Sequence, residues 1–329
     1  MEALTKVAAA STAGQFRTIS IVTPLFNEEE NVVELLERIG QVIHDLPYNC
    51  EVIAVDDGST DGTFKRLREQ WEKRKDINLR IVRLRKNFGQ SAALRAGIDR
   101  AGGDVIVLID GDLQNDPQDI PHLLQKITEG YDIVSGWRVE REDPLLSRTV
   151  PSRVANWLIA KFTGVHLHDY GCTLKAYRRE VISDLPLYGE MHRFIPALAA
   201  SMGAVITEIP VRHHPRKRGR SKYGLSRITK VLADLIAVTF FLSYSSRPMH
   251  VLGTIGAGLL LLGGAIIVKL VIERFAGVPL SDRPLFIGSL VSVLFGLQMI
   301  SLGLILEFLA RIYFSLPHKS VYHVREEWK

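Results

Sequence analysis

From Ser20 to Val211 short apolar runs alternate with stripes of helical period, and beyond Val251 the chain turns almost wholly apolar. Ser20-Ile21-Val22-Thr23-Pro24 reads as a first strand. Asn27, followed by Glu28, Glu29 and Glu30, reads as the start of a helix whose early acids suit its positive end, with Leu35, Leu36 and Ile39 as its apolar stripe. Glu51 to Val55 is the second strand and Asn78 to Leu84 the third; helices follow from near Thr63 and from about Gln90 to Arg100. Val105 to Ile109, a run of valine, isoleucine and leucine bounded by turn-formers, predicts a strand buried on both faces. Pro117 then starts a helix to Gly130, and Ile133 to Arg138 gives a further strand and its exit loop. This alternation predicts an α/β domain: a mostly parallel sheet with helices on both faces. Another helix begins at Met191-His192-Arg193, and Val205 to Val211 closes the domain as a strand.

Two later segments are of another kind. Val251 to Ile272 has Lys269 as its only charge and Leu285 to Leu306 has none; each is about 22 residues, enough to cross a hydrocarbon core of roughly 30 Å. Gly253, Gly256, Gly263 and Gly264 permit close helix packing. Glu307 and Arg311, one turn apart, are expected to pair at the interface. Acids and bases balance in the connecting loop, whereas Arg247, Arg311 and Lys319 flank the spans outside it, so both termini are expected on the cytoplasmic side of the inner membrane in a multi-pass topology. Pro144 to Gly164, with Leu145, Val150, Trp157 and Phe162 on one broad face and Arg148, Arg153 and Lys161 around it, fits either a membrane surface or packing on the sheet. The expected organisation is an N-terminal arm over 1–16, a soluble domain over 17–225 with 144–164 as its amphipathic interfacial segment, a juxtamembrane helix over 226–248, a transmembrane hairpin over 249–314 and a cytoplasmic tail over 315–329.

Composition sharpens this picture. The chain of 329 residues is 47% hydrophobic with a net charge of +5, and the excess of bases gathers around Arg212 to Lys222, which suggests an anionic partner such as phosphate or a lipid headgroup. Nucleic acid is disfavoured, since neither aromatic interleaving nor zinc-finger spacing accompanies the run. The two cysteines, Cys50 and Cys172, are far apart in the sequence and support no disulfide framework. The N-terminal apolar stretch is too short and weak for a signal peptide.

Carboxylates stand where strands end. Asp56 and Asp57 follow the second strand; Asp110 and Asp112 follow the central one, separated by a glycine. In an open α/β sheet that edge is where ligands bind. Two adjacent carboxylates repel unless a cation or proton intervenes, and hard oxygen ligands suit Mg²⁺ or Mn²⁺, with a diphosphate completing the coordination. Asp57, Ser59, Asp61 and Gly62 fit half of a calcium loop, but the last ligand position falls on Arg68 and a strand precedes, which rejects that reading. Asp61 or Thr60 instead suits a helix cap. Neither a Gly-x-Gly-x-x-Gly turn nor a Gly-Lys-Ser/Thr loop follows any strand, so dinucleotide and P-loop readings lose their support.

Taken in order, Pro24-Leu25-Phe26-Asn27-Glu28, Asp56-Asp57-Gly58-Ser59-Thr60-Asp61, Arg85-Lys86-Asn87-Phe88-Gly89-Gln90, Asp110-Gly111-Asp112-Leu113-Gln114, Asp169-Tyr170-Gly171-Cys172 and Arg216-x-x-Gly219-x-Ser221-Lys222-Tyr223 resemble the family 2 glycosyltransferases that charge polyprenyl phosphates. The two closing spans and Glu307-Phe308-Leu309-Ala310-Arg311 resemble the bacterial branch that makes undecaprenyl-phosphate sugars. The resemblance implies a GT-A fold, a divalent cation (Mg or Mn) on Asp110 and Asp112, and inverting transfer from a nucleotide sugar, UDP in preference to GDP, to a polyprenyl phosphate. It implies donor binding by Pro24, Asn27, Glu28, Asp56, Asp57, Asn87, Gly89, Asp110 and Gln114. The catalytic set would be Asp110, Asp112, Arg138 and Arg216, and acceptor phosphate would meet Arg138, Arg216, Ser221 and Lys222. A homotetramer at the bilayer is implied as well. Asn115 stands where relatives often place an acid, and Ala310 where they often place glycine. The rival readings are a processive polysaccharide synthase, which lacks support because no Gln-x-x-Arg-Trp motif and no further spans are found, and a non-catalytic scaffold binding anionic lipid.

Overall fold

The structure is a computed structural model that describes residues 16–139, 160–161, 164–183, 185, 187, 189, 191–215, 248–277, 284–315 and 321–329. The expected N-terminal arm except Phe16, which is buried in the core, nearly all of the amphipathic segment over 144–164, the juxtamembrane helix except Pro248, and Arg216, Ser221 and Lys222 lie outside the described residues. The chain divides into two compact units, residues 1–236 with 320–329, and residues 237–319.

In the first unit the opening half is strand and helix by turns: β1 (Thr18–Leu25), α1 (Val32–Asp45), β2 (Asn49–Asp56), α2 (Thr63–Lys73), β3 (Asn78–Leu84), α3 (Gln90–Ile98), β4 (Val105–Leu108), α4 (Ile120–Thr128) and β5 (Ile133–Arg138). β6 (Lys175–Arg178), α5 (Arg179–Ile182), α6 (Ile195–Ser201) and β7 (Ile206–Val211) complete it. The sheet runs β7-β5-β6-β4-β1-β2-β3-β8, where β8 is Val324–Trp328. β3, β2, β1 and β4 are mutually parallel, which brings their carboxyl ends to one edge. β6 is antiparallel to both β4 and β5. Ile19, Ile21, Val107, Leu36, Ile39, Leu123 and Ile127 share the main core on one face, and α3 covers the other, with Gly97 set against Val22 and Val55.

Three local readings change. The acids Glu28, Glu29 and Glu30 precede α1 instead of opening it. Asn27 takes a left-handed φ of 53°, a conformation asparagine tolerates, and Glu29 accepts from the Gly62 amide at 3.0 Å. The turn is thus tied to the β2–α2 loop and cannot begin a helix. Pro117–Asp119 forms a 3-10 turn before α4, with Asp116 capping Gln118. The last residues, expected as a tail, add β8 antiparallel to β3 and so cover an edge otherwise open to pairing.

The second unit is a pair of packed helices, α7 (Pro248–Phe275) and α8 (Pro284–Ser315). Met249–Phe275 and Pro284–Leu309 are long and apolar enough to cross a membrane. They meet through small residues: a Cβ on Gly256 would lie 2.7 Å from the Gly296 carbonyl, and Ser292 donates to the Leu259 carbonyl at 2.9 Å. Leu261, Ile272, Phe275 and Ile287 point outward, exposed. The side chain of Arg311 lies outside the described residues, so its expected pairing with Glu307 does too.

Candidate active site

The carboxyl edge of the parallel strands gathers most of the residues singled out from sequence. β1 ends at Leu25 in register with Asp56 of β2, and Ile109, just past β4, donates its amide to the Val22 carbonyl at 3.1 Å. The Asp56-Asp57 pair and the Asp110-Asp112 pair therefore flank the end of β1.

Asp56 is fully buried; Oδ1 accepts from the Ser59 amide at 3.0 Å, and Oδ2 lies 3.4 Å from Arg83 Nε in an ion pair without hydrogen-bond alignment. Burial raises its pKa against those attractions. Asp57 accepts from the amides of Phe88 at 2.8 Å and Gly89 at 2.9 Å, fastening the Arg85–Gly89 loop; burial pushes its carboxyl to about 6. The next residue, Gln90, donates Nε2 to Asp110 Oδ1 at 2.7 Å. Gly89 and Gln90 thereby join the two carboxylate pairs into one site. Asn87 is exposed beside them, and Pro24 is half-buried at the end of β1. Asn27 builds the floor, its Oδ1 accepting from Thr60 N at 2.9 Å and its own amide donating to Ser59 Oγ at 3.0 Å, while Glu28 accepts from Asn31 Nδ2 at 2.6 Å.

Asp110 feels burial first and the charge of Asp112 second; together they hold its carboxyl up at about 7. Asp112 Oδ1 accepts from the Gln114 amide at 3.2 Å, across a turn in which Leu113 adopts a φ of 61°. Asn115 is buried, with Nδ2 donating to Thr173 Oγ1 at 3.0 Å and Oδ1 accepting from Cys172 Sγ at 3.7 Å. Its amide links the β4 loop to the approach of β6. Both cysteines are free thiols. The Gln114 carbonyl accepts from His214 N at 2.8 Å, and Arg212 grips Asp119 with Nε at 3.0 Å and Nη2 at 2.9 Å. The start of the basic run is thus fastened to the loop that follows Asp112.

Arg138 is held by Asp169, which accepts Nε at 2.6 Å and Nη2 at 3.0 Å. That fork-to-fork pairing fixes the guanidinium plane near Asp110, whose acidity it increases. Asp169, Gln90, Arg83 and Lys175 were not singled out as site residues from sequence. Asp169 and Gln90 sat inside recognisable motifs, whereas Arg83 and Lys175 carried no local signal: each is one of two bases in its strand, beside Arg80 in β3 and Arg178 in β6, and only the pairing of strands shows what it faces.

The chemistry of the donor set fits a hard divalent cation. Asp110 and Asp112 repel each other, and among the described residues no group of three or more carboxylate, histidine or cysteine side chains is placed to hold a metal. Two carboxylates with substrate phosphates are a usual complement for Mg²⁺.

In a mostly parallel sheet of this kind, the carboxyl edge that carries the two acidic loops is where a ligand binds. Residues 20–185 match Glycosyl transferase family 2, and the chain belongs to that family. It is 45% identical over 312 residues to the dodecaprenyl-phosphate galacturonate synthase of Rhizobium johnstonii, covering 94% of this chain and 92% of the relative. It is 36% identical over 299 residues to the undecaprenyl-phosphate 4-deoxy-4-formamido-L-arabinose transferase of Pseudomonas aeruginosa, covering 90% and 86%. Among solved structures, the glucosyl-3-phosphoglycerate synthase of Mycobacterium tuberculosis in complex with Mg²⁺ and UDP superposes with a TM-score of 0.53 at 23% identity, over 71% of this chain and 81% of that one. The same enzyme with Mn²⁺, UDP and glucosyl-3-phosphoglycerate gives 0.52 at 23% identity over the same shares. These likenesses establish the fold, a mostly parallel sheet of GT-A type, and the family makes the chain a glycosyltransferase.

Proposed function

We propose that this enzyme transfers a sugar from a nucleotide diphosphate sugar to a polyprenyl phosphate at the inner membrane. The observation that carries the reading is the row of carboxylates at one sheet edge, Asp56 and Asp57 on one side of β1 and Asp110 and Asp112 on the other, bridged by Gly89 and Gln90. The two named relatives act on lipid-linked phosphates, and this chain carries two helices long and apolar enough to enter the bilayer where such an acceptor resides.

Each part has a task. Asp56 and Asp57, with Pro24, Asn27, Glu28, Asn87 and Gly89, form the nucleoside pocket. Asp110 and Asp112 hold Mg²⁺ or Mn²⁺, with Gln114 beside them. A cation held there would supply positive charge against the charge that builds on the departing nucleoside diphosphate. Arg138, held in plane by Asp169, and Arg216, Ser221 and Lys222 take phosphate oxygens of donor or acceptor. A phosphate monoester has a second pKa of about 6, so the lipid phosphate arrives at pH 7 as a charged nucleophile and needs no general base. Its oxygen bonds to the anomeric carbon from the face opposite the leaving group, as the carbon–oxygen bond to the diphosphate breaks, so configuration inverts. UDP in preference to GDP as carrier, both termini on the cytoplasmic side and a homotetrameric assembly belong to the same reading.

The test is nucleotide release from the detergent-purified protein with Mn²⁺ or Mg²⁺, undecaprenyl phosphate and a panel of UDP- and GDP-sugars, beside Asp112→Asn. Release that needs both the lipid and Asp112 is the expected result. Release that needs a free sugar acceptor would favour a polysaccharide synthase, and no release from any donor by a folded protein would point first to a donor outside the panel and second to a lipid-binding scaffold.

A further inference from the structure

The register between β4 and β6 sets what Asp110 faces. Leu108 stands opposite Lys175 in an antiparallel ladder, so two positions further on, and on the same face, Asp110 falls opposite Thr173. The Thr173 hydroxyl hydrogen-bonds the Asp110 carboxylate from that side, while Gln90 Nε2 holds Oδ1 from the start of α3 at 2.7 Å. Asp110 is thus braced from two elements. An ionised carboxylate has about four acceptor sites, so two donors leave room for a cation.

The Thr173 hydroxyl has one proton to give, and Asn115 decides where it goes. Asn115 is buried, and its Nδ2 donates to Thr173 Oγ1 at 3.0 Å. An oxygen that accepts on that side turns its own proton away from the amide, and the Asp110 carboxylate is the acceptor it meets. The direction of the amide is itself fixed. Asn115 Oδ1 faces Cys172 Sγ at 3.7 Å; the thiol's other acceptor, the Leu174 carbonyl, is farther away at 3.9 Å. Burial pushes that thiol to about 11, so at neutral pH it keeps its proton and donates. With its oxygen on the Cys172 side, the amide presents N–H to Thr173.

Both backbones are held. Asn115 forms an antiparallel bridge with His213, and the Leu174 carbonyl accepts from the Gly136 amide at 2.9 Å. An ionised aspartate at 115 would offer acceptors only and draw the hydroxyl proton to itself.

We propose that Asn115 is a positioning residue for the metal pair: through Thr173 it directs a hydroxyl proton to Asp110 and holds that carboxylate in the orientation that meets a divalent cation. The inference rests on the proposed function, in which Asp110 and Asp112 hold Mg²⁺ or Mn²⁺. Partners that orient a metal ligand in this way set affinity by about 10- to 100-fold.

The test is Mn²⁺ affinity of the full-length protein in the presence of UDP, read by electron paramagnetic resonance of free Mn²⁺, with Tm measured on the same samples. Thr173→Val is expected to weaken Mn²⁺ binding by about 10-fold, and Thr173→Ser, which keeps the hydroxyl, to restore most of the loss. Asn115→Ala should weaken binding as well. The double variant should lose no more than Thr173→Val alone, because the amide acts through the hydroxyl. Losses that multiply in the double variant overturn the proposal, as does a Thr173→Ser protein as weak as Thr173→Val, or a Thr173→Val protein as tight as the unmodified one. The valine and serine comparison decides the matter even where Asn115→Ala fails to fold. Asp112→Asn separates the two readings. Mn²⁺ affinity untouched by that change removes the metal site and this inference with it, whereas affinity lost in Asp112→Asn and kept in Thr173→Val removes the inference alone.

Discussion

Glu326 of the last strand pairs with Arg83 at 2.9 Å, and the same guanidinium lies 3.4 Å from the buried Asp56. β8 therefore supports the Asp56–Asp57 end of the candidate site from behind. Two further contacts run the same way: Arg85 donates its amide to the His323 carbonyl at 2.9 Å, and the Phe88 ring meets the His323 ring edge-on.

Removing Arg83 leaves a buried carboxylate uncompensated, which costs on the order of 3–5 kcal/mol. Arg83→Met is expected to lower the stability of the sheet unit by an amount in that range, and denaturant titration of the purified protein measures it. Glu326→Gln keeps Arg83 on Asp56 and only frees it to move; UDP affinity should weaken by about 3- to 10-fold, a shift of roughly 1 kcal/mol. Unchanged UDP affinity would make β8 a simple edge cover.

Metal affinity should depend on pH through Asp110. Burial and the neighbouring Asp112 hold its pKa at about 7, so at pH 6 the carboxyl is mostly protonated and at pH 8 mostly charged. A cation binds the charged form and must displace the proton from the other. Mn²⁺ titration in the presence of UDP should therefore show tighter binding from pH 6 to pH 8, with more protons released at the lower pH. A flat profile over this window would mean that Asp110 is already ionised at pH 6.

Much of this arrangement was legible in the chain. The buried run Val105 to Leu108 marked the central strand, because a strand covered on both faces reads as an unbroken apolar run, and the acids after it marked the edge of the candidate site. The helix start was misjudged because Glu28 to Glu30 have the composition of a first turn, and only the contacts of Asn27 and Glu29 with the Ser59–Gly62 loop show that they belong to a different turn. β8 was invisible as a strand: Val324 to Trp328 is short and mostly charged, and its pairing with β3 is a contact between distant parts of the chain. Lys175 was illegible for a like reason, since only the pairing of β6 with β4 and β5 shows that it is buried, where its ammonium donates to the Tyr170 carbonyl.

Gly58 is a sharper test of the proposed donor loop than any of its acids. Its φ is +67°, and an added Cβ would stand 2.3 Å from the Lys86 carbonyl carbon and 2.6 Å from Lys86 Cα, both backbone atoms. Gly58→Ala must therefore part the two loops that Asp57 holds together. UDP binding should fall by about 10-fold or more, alongside a backbone penalty of about 1–3 kcal/mol. Gly89→Ala is the control: its φ is also positive, at +94°, but nothing lies within 4 Å of the added carbon. It carries the backbone penalty without the collision, so its loss of UDP affinity should be the smaller of the two.

The helical hairpin offers an independent test of how the spans associate. Gly256 and Gly296 face each other so closely that a Cβ on either would come within 2.8 Å of the other's carbonyl oxygen, and a Cβ on Gly263 would lie 2.8 Å from that of Ser289. In lipid the two helices gain little from apolar burial alone, so close backbone packing carries much of their association. Gly256→Leu is expected to separate α7 from α8 and to lower the melting temperature of the hairpin in detergent, read by circular dichroism at helical wavelengths. Gly264→Leu, one residue beyond Gly263 and with nothing within 4 Å of its added carbon, should leave that temperature nearly unchanged. Equal effects from the two variants would place the packing seam elsewhere on α7.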